Sequence, residues 1–337
     1  MNIILILACL AAFYNATIMT YNKDYLSLQQ TNNWKGICIV LVIFHHLNIF
    51  AGVGDVYNIF GNVGYIAVGG FLFISGYGLM FQFASKGSEY IKEFLKKRIL
   101  TVIIPAFFMS GIYFVIKWRI EGYSFGNMRN DFLRGASVIS NGWYVTAIIF
   151  FYIMFFIAAI ITLIIKRPET ILVCNVLGAI AYIMLCQKLQ YEGHWFPAAF
   201  AFCYGVIWGY FKNAIDKHLE AGIFTVLIGL FVFYYVMNVG IEFEYGWYEF
   251  KCLMYVTIFV IIGMKIKLQS KIMEWLGSIS YEMYLTHGLF FILLRNSRIN
   301  ITDSFEFMVT VFILTLIVAF FFNQLFSRIS RVVMNSI

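Results

Sequence analysis

Two adjacent histidines, His45 and His46, lie in an otherwise apolar run, residues 36–47. Imidazole is costly to place in hydrocarbon, so a histidine inside a membrane helix is a candidate functional residue. A neutral imidazole accepts protons near neutral pH and can act as a general base. The alternative is a histidine that only hydrogen-bonds a neighbouring helix carbonyl. Because adjacent helix positions point about 100° apart, only one of the pair should face a given site.

His287 is a third histidine in an apolar segment. Counted from Lys35, His46 lies eleven residues into its segment, or about 16 Å, close to the bilayer midplane. Counted from Ile279 at the same face of the membrane, His287 lies about 12 Å in. We therefore predict that His46 and His287 meet at similar depth, which favours a functional role for His46 over the structural alternative.

A basic segment, residues 92–98, leads directly into the apolar run that contains Pro105. Lys96, Lys97 and Arg98 suit a phosphate-bearing ligand, because Arg binds phosphate through two donors and Lys adds a point charge. The alternative is a topology signal that also contacts anionic lipid. Charge by itself favours that alternative.

The composition indicates an integral membrane protein. Of the 337 residues, 62% are hydrophobic and only 12% are charged, whereas soluble domains have about 25% charged residues. The formal charge of +7 does not indicate nucleic-acid binding, because Lys and Arg occur in short loops rather than on a face shared with aromatic residues. The six cysteines show no metal-ligand spacing, and we expect no metal.

The apolar segments predict an all-α, polytopic transmembrane helix bundle. We read residues 1–22 as an extra N-terminal span, with a signal peptide as the alternative, and residues 32–337 as one membrane domain. The eleven predicted spans are 3–19, 37–51, 63–81, 99–117, 144–165, 171–186, 196–211, 222–239, 251–266, 279–294 and 306–326.

The distribution of Lys and Arg between alternate loops predicts the orientation. The larger share of the 24 basic residues falls in the loop set that contains residues 86–98 and the C-terminus. Cytoplasmic loops carry the excess of Lys and Arg. We expect a cytoplasmic C-terminus and, with eleven spans, an N-terminus outside.

The motifs taken in order resemble the acyltransferase 3 family of bacterial membrane acyltransferases. The family pattern opens with an Arg, ten intervening residues and a His, and Lys35 and His46 have the same separation. Lys35 differs from the family Arg because it lacks the two-donor fork of a guanidinium. The resemblance continues through residues 71–77, Arg98 with Pro105, residues 141–144 and residues 277–287. It covers ten of the eleven spans and includes no fused extracytoplasmic hydrolase-like domain.

The resemblance implies transfer of an acyl group, with acetyl expected, from cytoplasmic acyl-CoA to a hydroxyl of a cell-surface glycan or lipid-linked sugar. It implies a location in the bacterial inner membrane, with contacts to membrane lipid and none to nucleic acid. It does not determine whether the protein forms a homo-oligomer. His46 and His287 would be catalytic, and Lys35, Lys96, Lys97 and Arg98 would bind acyl-CoA. Substrate or oxyanion contacts would come from Ser75, Tyr77, Trp143, Ser280 and Tyr284, with His287 a further oxyanion candidate.

Two other classes of protein remain open from the residues alone. A transporter or flippase for a lipid-linked saccharide or small anion would also use ionisable residues near the bilayer midplane and clusters of basic residues at the entrance of its pathway. A glycan polymerase would favour chemistry on the outer face. The order of the motifs favours acyl transfer.

Overall fold

The computed structural model describes residues 2–51, 60–61, 63–134, 137–238 and 246–335. Within these ranges the chain is a helical bundle with one short antiparallel strand pair, β1 (Thr17–Ile18) and β2 (Ile266–Lys267). The helices are α1 (Asn2–Phe13), α2 (Leu28–Ala51), α3 (Gly64–Lys86), α4 (Ser88–Arg98), α5 (Ile104–Glu121), α6 (Phe125–Leu133), α7 (Trp143–Ile165), α8 (Thr170–Lys188), α9 (Ala199–Asn238), α10 (Trp247–Lys265), α11 (Lys271–Ser278), α12 (Ser280–Leu294) and α13 (Ser304–Asn335).

Seven helical segments of the described residues are long and apolar enough to cross a membrane. Their outward side chains are apolar as well, as with the exposed Phe107 and Val173, which fits contact with lipid rather than water. The seven segments are Leu28–Phe50, Gly64–Lys86, Ser88–Glu121, Trp143–Ile165, Thr170–Lys188, Trp247–Lys265 and Ser304–Met334. The predicted all-α, multi-pass membrane architecture is confirmed.

The remaining predicted spans fall on helices of unusual length. The first, 3–19, is helical only to Phe13, and α1 is about 18 Å long, shorter than the roughly 30 Å hydrocarbon core. Two predicted spans, 196–211 and 222–239, fall on the two parts of α9, which are joined at a kink with non-helical backbone angles at Gly222. The span with His287 is α12, about 22 Å long. Length and hydropathy could not reveal these differences, because they are set by packing.

Close backbone contacts hold the helices that carry the site. A Cβ at Gly76 of α3 would lie 2.1 Å from the carbonyl oxygen of Phe202 in α9. A Cβ at Gly277 of α11 would lie 1.8 Å from the carbonyl oxygen of Asn32 in α2. Small residues allow helix backbones to approach this closely in membranes. The second contact brings the start of α12 beside α2.

The basic segment ends in an irregular turn. Helix α4 ends at Arg98, and Ile99–Ile103 is π-helical before α5 begins. The backbone N–H of Ile104 reaches the carbonyl of Ile99, one residue farther than in an α-helix, and Pro105 follows without an N–H of its own. Single π-turns are frequent at functional sites. This turn lets a continuous helical span run past Arg98 while changing the helical register.

Candidate active site

The two predicted catalytic histidines are in direct contact. Nδ1 of His46, on α2, lies 2.9 Å from Nε2 of His287, on α12. His287 is fully buried and His46 is 8% exposed. The depth estimate needs one correction, because α2 begins at Leu28 rather than Lys35 and ends five residues after His46. His46 therefore lies nearer the end of the described part of α2 than its middle.

The hydrogen bonds of His287 determine the tautomer of both rings. Nδ1 of His287 lies 2.7 Å from the carbonyl oxygen of Tyr284 and 3.2 Å from that of Met283. A carbonyl only accepts, so this nitrogen carries the proton and Nε2 of His287 carries a lone pair. Nδ1 of His46 must then donate to His287. This assignment leaves the Nε2 lone pair of His46 to accept a proton.

His46 lines a cavity of about 760 Å³, which we call the His46 cavity. It combines aromatic surfaces with a few polar groups, a composition typical of small-molecule sites. Its lining includes Val42, His45, His46, Tyr65, Asn141, Trp143, Gln187, His194, Phe196, Trp247, Tyr248, Glu249 and Tyr284. Of the predicted substrate residues, Trp143 and Tyr284 lie here.

The other two histidines of the His46 cavity have different partners. Nδ1 of His45 bonds the carbonyl of Phe60 at 2.9 Å. His194 lies in the loop after α8, where burial lowers its pKa and the nearby Glu192 carboxylate partly opposes that effect. His46 is thus the cavity histidine whose ring is oriented by a second imidazole. The sequence preference for His46 over His45 agrees with this arrangement.

Arg98 lines a second cavity, of about 510 Å³, which we call the Arg98 cavity. It brings together several residues singled out in the sequence, namely Lys35, Ser75, Arg98, Ser280 and Tyr284. Further polar lining comes from Tyr144, Tyr152, Ser278, Tyr281, Glu282, Asn323, Ser327 and Ser330. Two cations and many hydroxyl groups suit a ligand with several phosphate and amide oxygens.

Arg98 is held by aromatic residues in this cavity. Its guanidinium donates to the Tyr90 hydroxyl at 3.1 Å and lies 4.7 Å from the centre of the Tyr152 ring. Cation–π contacts of this kind hold a guanidinium flat against the ring. Nε of Arg98 is buried without a hydrogen-bond partner among the described residues. Arg98 therefore retains an unused donor.

Tyr284 separates the two cavities, because it contributes to the lining of both. Lys35 and His46 lie on the same helix, one in each cavity, about 16 Å apart along its axis. The hydroxyl of Tyr284 donates to the backbone carbonyl of Asn141. The cavities therefore occupy opposite halves of the bundle, with one hydrogen-bonded side chain at their boundary.

Three predicted residues lie elsewhere. Tyr77 packs against Phe81 and is not among the described residues that line either cavity. Lys97 lines a surface depression beside α4 together with Arg98. Lys96 lies on the same helix and lines none of these three sites. Ser75 lines only the Arg98 cavity, which separates it from His46.

Sequence reasoning did not single out Asn323, and it included Asn141 only as the first residue of the motif at 141–144. Asn323 interrupts the apolar run of α13 and lines the Arg98 cavity, and a polar residue inside a membrane helix was a usable signal. Asn141 precedes α7, has φ +60° and lines the His46 cavity. The described residues include no group of three or more side chains arranged to hold a metal ion.

These features define a multi-pass membrane protein with two polar cavities and a buried, oriented histidine pair, one member of which lines the first cavity. A family model described as an acyltransferase domain matches residues 29–324. The chain therefore belongs to the acyltransferase 3 family and is a membrane acyltransferase. No curated protein and no solved structure shows significant similarity to it. Membership of this family favours group transfer over the transporter and polymerase alternatives.

Proposed function

We propose that this acyltransferase moves an acyl group, with acetyl expected, from acyl-CoA to a hydroxyl of a cell-surface glycan or lipid-linked sugar. The hydrogen bond between His46 and His287 carries the proposal, because it leaves a proton-accepting nitrogen on a residue that lines a cavity. General bases of this kind contribute about 10²–10⁴-fold to a rate. The reaction transfers groups other than aminoacyl groups.

The donor fits the Arg98 cavity. Arg98 and Lys35 supply positive charge for the phosphates of CoA, and the seryl and tyrosyl hydroxyls supply neutral hydrogen bonds. Lys96 and Lys97 add positive charge at the approach rather than contacts inside the cavity. The thioester arm would pass Tyr284 to bring its carbonyl carbon beside His46.

The acceptor fits the His46 cavity. Trp143 and Trp247 offer flat apolar surfaces, and Gln187 and Glu249 offer hydrogen bonds, a combination that suits a sugar with apolar faces and hydroxyl edges. The acceptor hydroxyl would give its proton to Nε2 of His46, and its oxygen would attack the thioester carbonyl. His287 would stabilise the resulting imidazolium by accepting the hydrogen bond from Nδ1.

The expected location is the bacterial inner membrane, with the C-terminus in the cytoplasm and the N-terminus outside. The charge bias supports this orientation. So does the pairing of Thr17 with Lys267, since it joins two loops that the bias assigns to the same face. In this orientation the Arg98 cavity opens toward cytoplasmic acyl-CoA.

Purified protein in lipid vesicles tests the proposal. Given acetyl-CoA and an envelope glycan extract, it should release free CoA thiol in step with acetyl transfer to glycan. His46→Ala should remove nearly all transfer, and His45→Ala should cost much less, because His45 bonds a backbone carbonyl instead of a second imidazole. Full transfer by His46→Ala would overturn the assignment, and flux of glycan without acyl-CoA would support transport instead.

A further inference from the structure

Acyl transfer to a hydroxyl places negative charge on the thioester carbonyl oxygen, and a hydrogen-bond donor aimed at that oxygen lowers the barrier. Ser75 and Tyr77 do not line the His46 cavity, and His287 is occupied by carbonyls and by His46. Resting on the proposed function, we propose that the side-chain amide of Asn141 donates to this oxygen and is a catalytic residue.

The amide nitrogen of Asn141 is unused. Nδ2 is buried and has no hydrogen-bond partner among the described residues, although Asn141 lines the His46 cavity. Buried polar groups are nearly always hydrogen-bonded, and each exception calls for an explanation. A ligand oxygen that is present only during the reaction provides one.

A continuous set of hydrogen bonds connects Asn141 to the general base. Its backbone carbonyl accepts from the hydroxyl of Tyr284, whose own carbonyl accepts from Nδ1 of His287. Nε2 of His287 in turn accepts from His46. The base and the unused amide are therefore positioned by the same tyrosine. Such mutual positioning is what an oxyanion donor requires, because preorganisation supplies most of its effect.

The backbone at Asn141 limits which residues fit there. Its φ of +60° lies in the left-handed region, which Asn and Asp adopt more readily than other residues with a Cβ. The turn is tightly packed, since a Cβ at Gly142 would lie 2.6 Å from Oγ of Ser137 and 2.8 Å from the carbonyl of Ile139. Asn is thus a residue that satisfies this backbone and still offers a donor.

The step balances without another reactant. The acceptor hydroxyl gives its proton to Nε2 of His46 while its oxygen bonds the carbonyl carbon, and the carbonyl electron pair moves to the oxygen held by Asn141. When that pair returns, the carbon–sulfur bond breaks. The CoA thiolate leaves and takes the proton from the His46 imidazolium. Asn141 neither gains nor loses a proton.

Two substitutions that keep the backbone test the role. Asn141→Gly removes the donor and tolerates positive φ, and Asn141→Asp keeps the shape but replaces the donor with a carboxylate. With acetyl-CoA and the envelope glycan extract as substrates, both should lower kcat by about 10²–10³-fold with little change in either KM. Asn127→Asp makes the same amide-to-carboxylate change outside both cavities, where the side-chain oxygen at this position can still accept from the backbone N–H of Ser124, and it should leave kcat within about threefold of the parent. Monodispersity and thermal unfolding in detergent establish that each variant is folded.

The outcomes separate this proposal from the proposed function. If the folded Asn141 variants keep kcat within about threefold of the parent while His46→Ala abolishes transfer, Asn141 is not the donor and the proposed function stands. A raised acceptor KM with unchanged kcat would make Asn141 a ground-state contact and also overturn the proposal. Loss in the Asn141 variants with full transfer by His46→Ala would instead overturn the base assignment.

Discussion

Replacement of His287 by residues that can or cannot accept a hydrogen bond tests the histidine pair most directly. His287→Leu leaves Nδ1–H of His46 without its buried acceptor, which lies 2.9 Å away in the parent. A hydrogen bond to a charged group contributes about 1.5–3 kcal/mol. Because about 1.4 kcal/mol is tenfold in rate, we expect kcat to fall roughly 10–150-fold.

His287→Gln is the matched variant, because its amide oxygen can accept the same hydrogen bond. Its kcat should exceed that of His287→Leu by several-fold. The assay is release of CoA thiol coupled to measured acetyl transfer, with vesicles of equal protein content. Both variants should leave the KM for acetyl-CoA nearly unchanged, because the donor binds in the other cavity.

The double variant His46→Ala/His287→Leu gives the refuting result. If His287 acts only through His46, adding His287→Leu to His46→Ala should cause no further loss, since groups that act as a unit are not additive. Fully additive losses would mean that His287 contributes independently. If His287→Leu left kcat unchanged, the hydrogen bond from His46 to His287 would have no role in catalysis.

Three further predictions follow from the donor cavity, the helix packing and the base. Arg98→Lys keeps the charge but loses the two-donor guanidinium and its contact with the Tyr152 ring, so the KM for acetyl-CoA should rise about tenfold. Initial-rate assays measure this KM, and an unchanged value would place the donor elsewhere. Gly76→Ala should destabilise the fold by about 1–3 kcal/mol through the contact with Phe202, measured by thermal unfolding, whereas Gly78→Ala, with nothing within 4 Å, should not. Transfer should fall as pH decreases through the range in which His46 protonates, because imidazolium cannot accept a proton, and a pH–rate profile without an acidic limb would contradict this.

Hydropathy and the helical rise per residue were sufficient to predict the helix bundle and the similar depth of His46 and His287. The apolar runs located the helices, and counting residues along α2 and α12 placed His46 and His287 at compatible depths, where the structure joins them. Counting could not find the true start of α2 at Leu28, because residues 29–33 are polar and α2 packs there against α11.

The division of the site into two cavities was beyond sequence reasoning. The depth of a residue along a helix follows from one segment of sequence. Whether its side chain lines a cavity depends on how several helices are rotated about their own axes. Ser75 and Tyr77 lie two residues apart on α3, yet only Ser75 reaches the Arg98 cavity. Asn141 was visible only as the first residue of the motif at 141–144, since its proposed role depends on a positive φ and an unpaired amide, and neither can be read from residue type.

The position of Tyr284 bears on how acyl transfer depends on the membrane potential. With its hydroxyl bonded to the carbonyl of Asn141, this side chain lies at the boundary between the two cavities. On the proposed function, the nucleotide end of CoA and the glycan stay on opposite sides of Tyr284. The acyl group passes to the acceptor in exchange for the hydroxyl hydrogen, which leaves on the CoA thiol, so no net charge is transferred. The reaction would then be insensitive to membrane potential, and the supply of either substrate could be controlled without affecting the other.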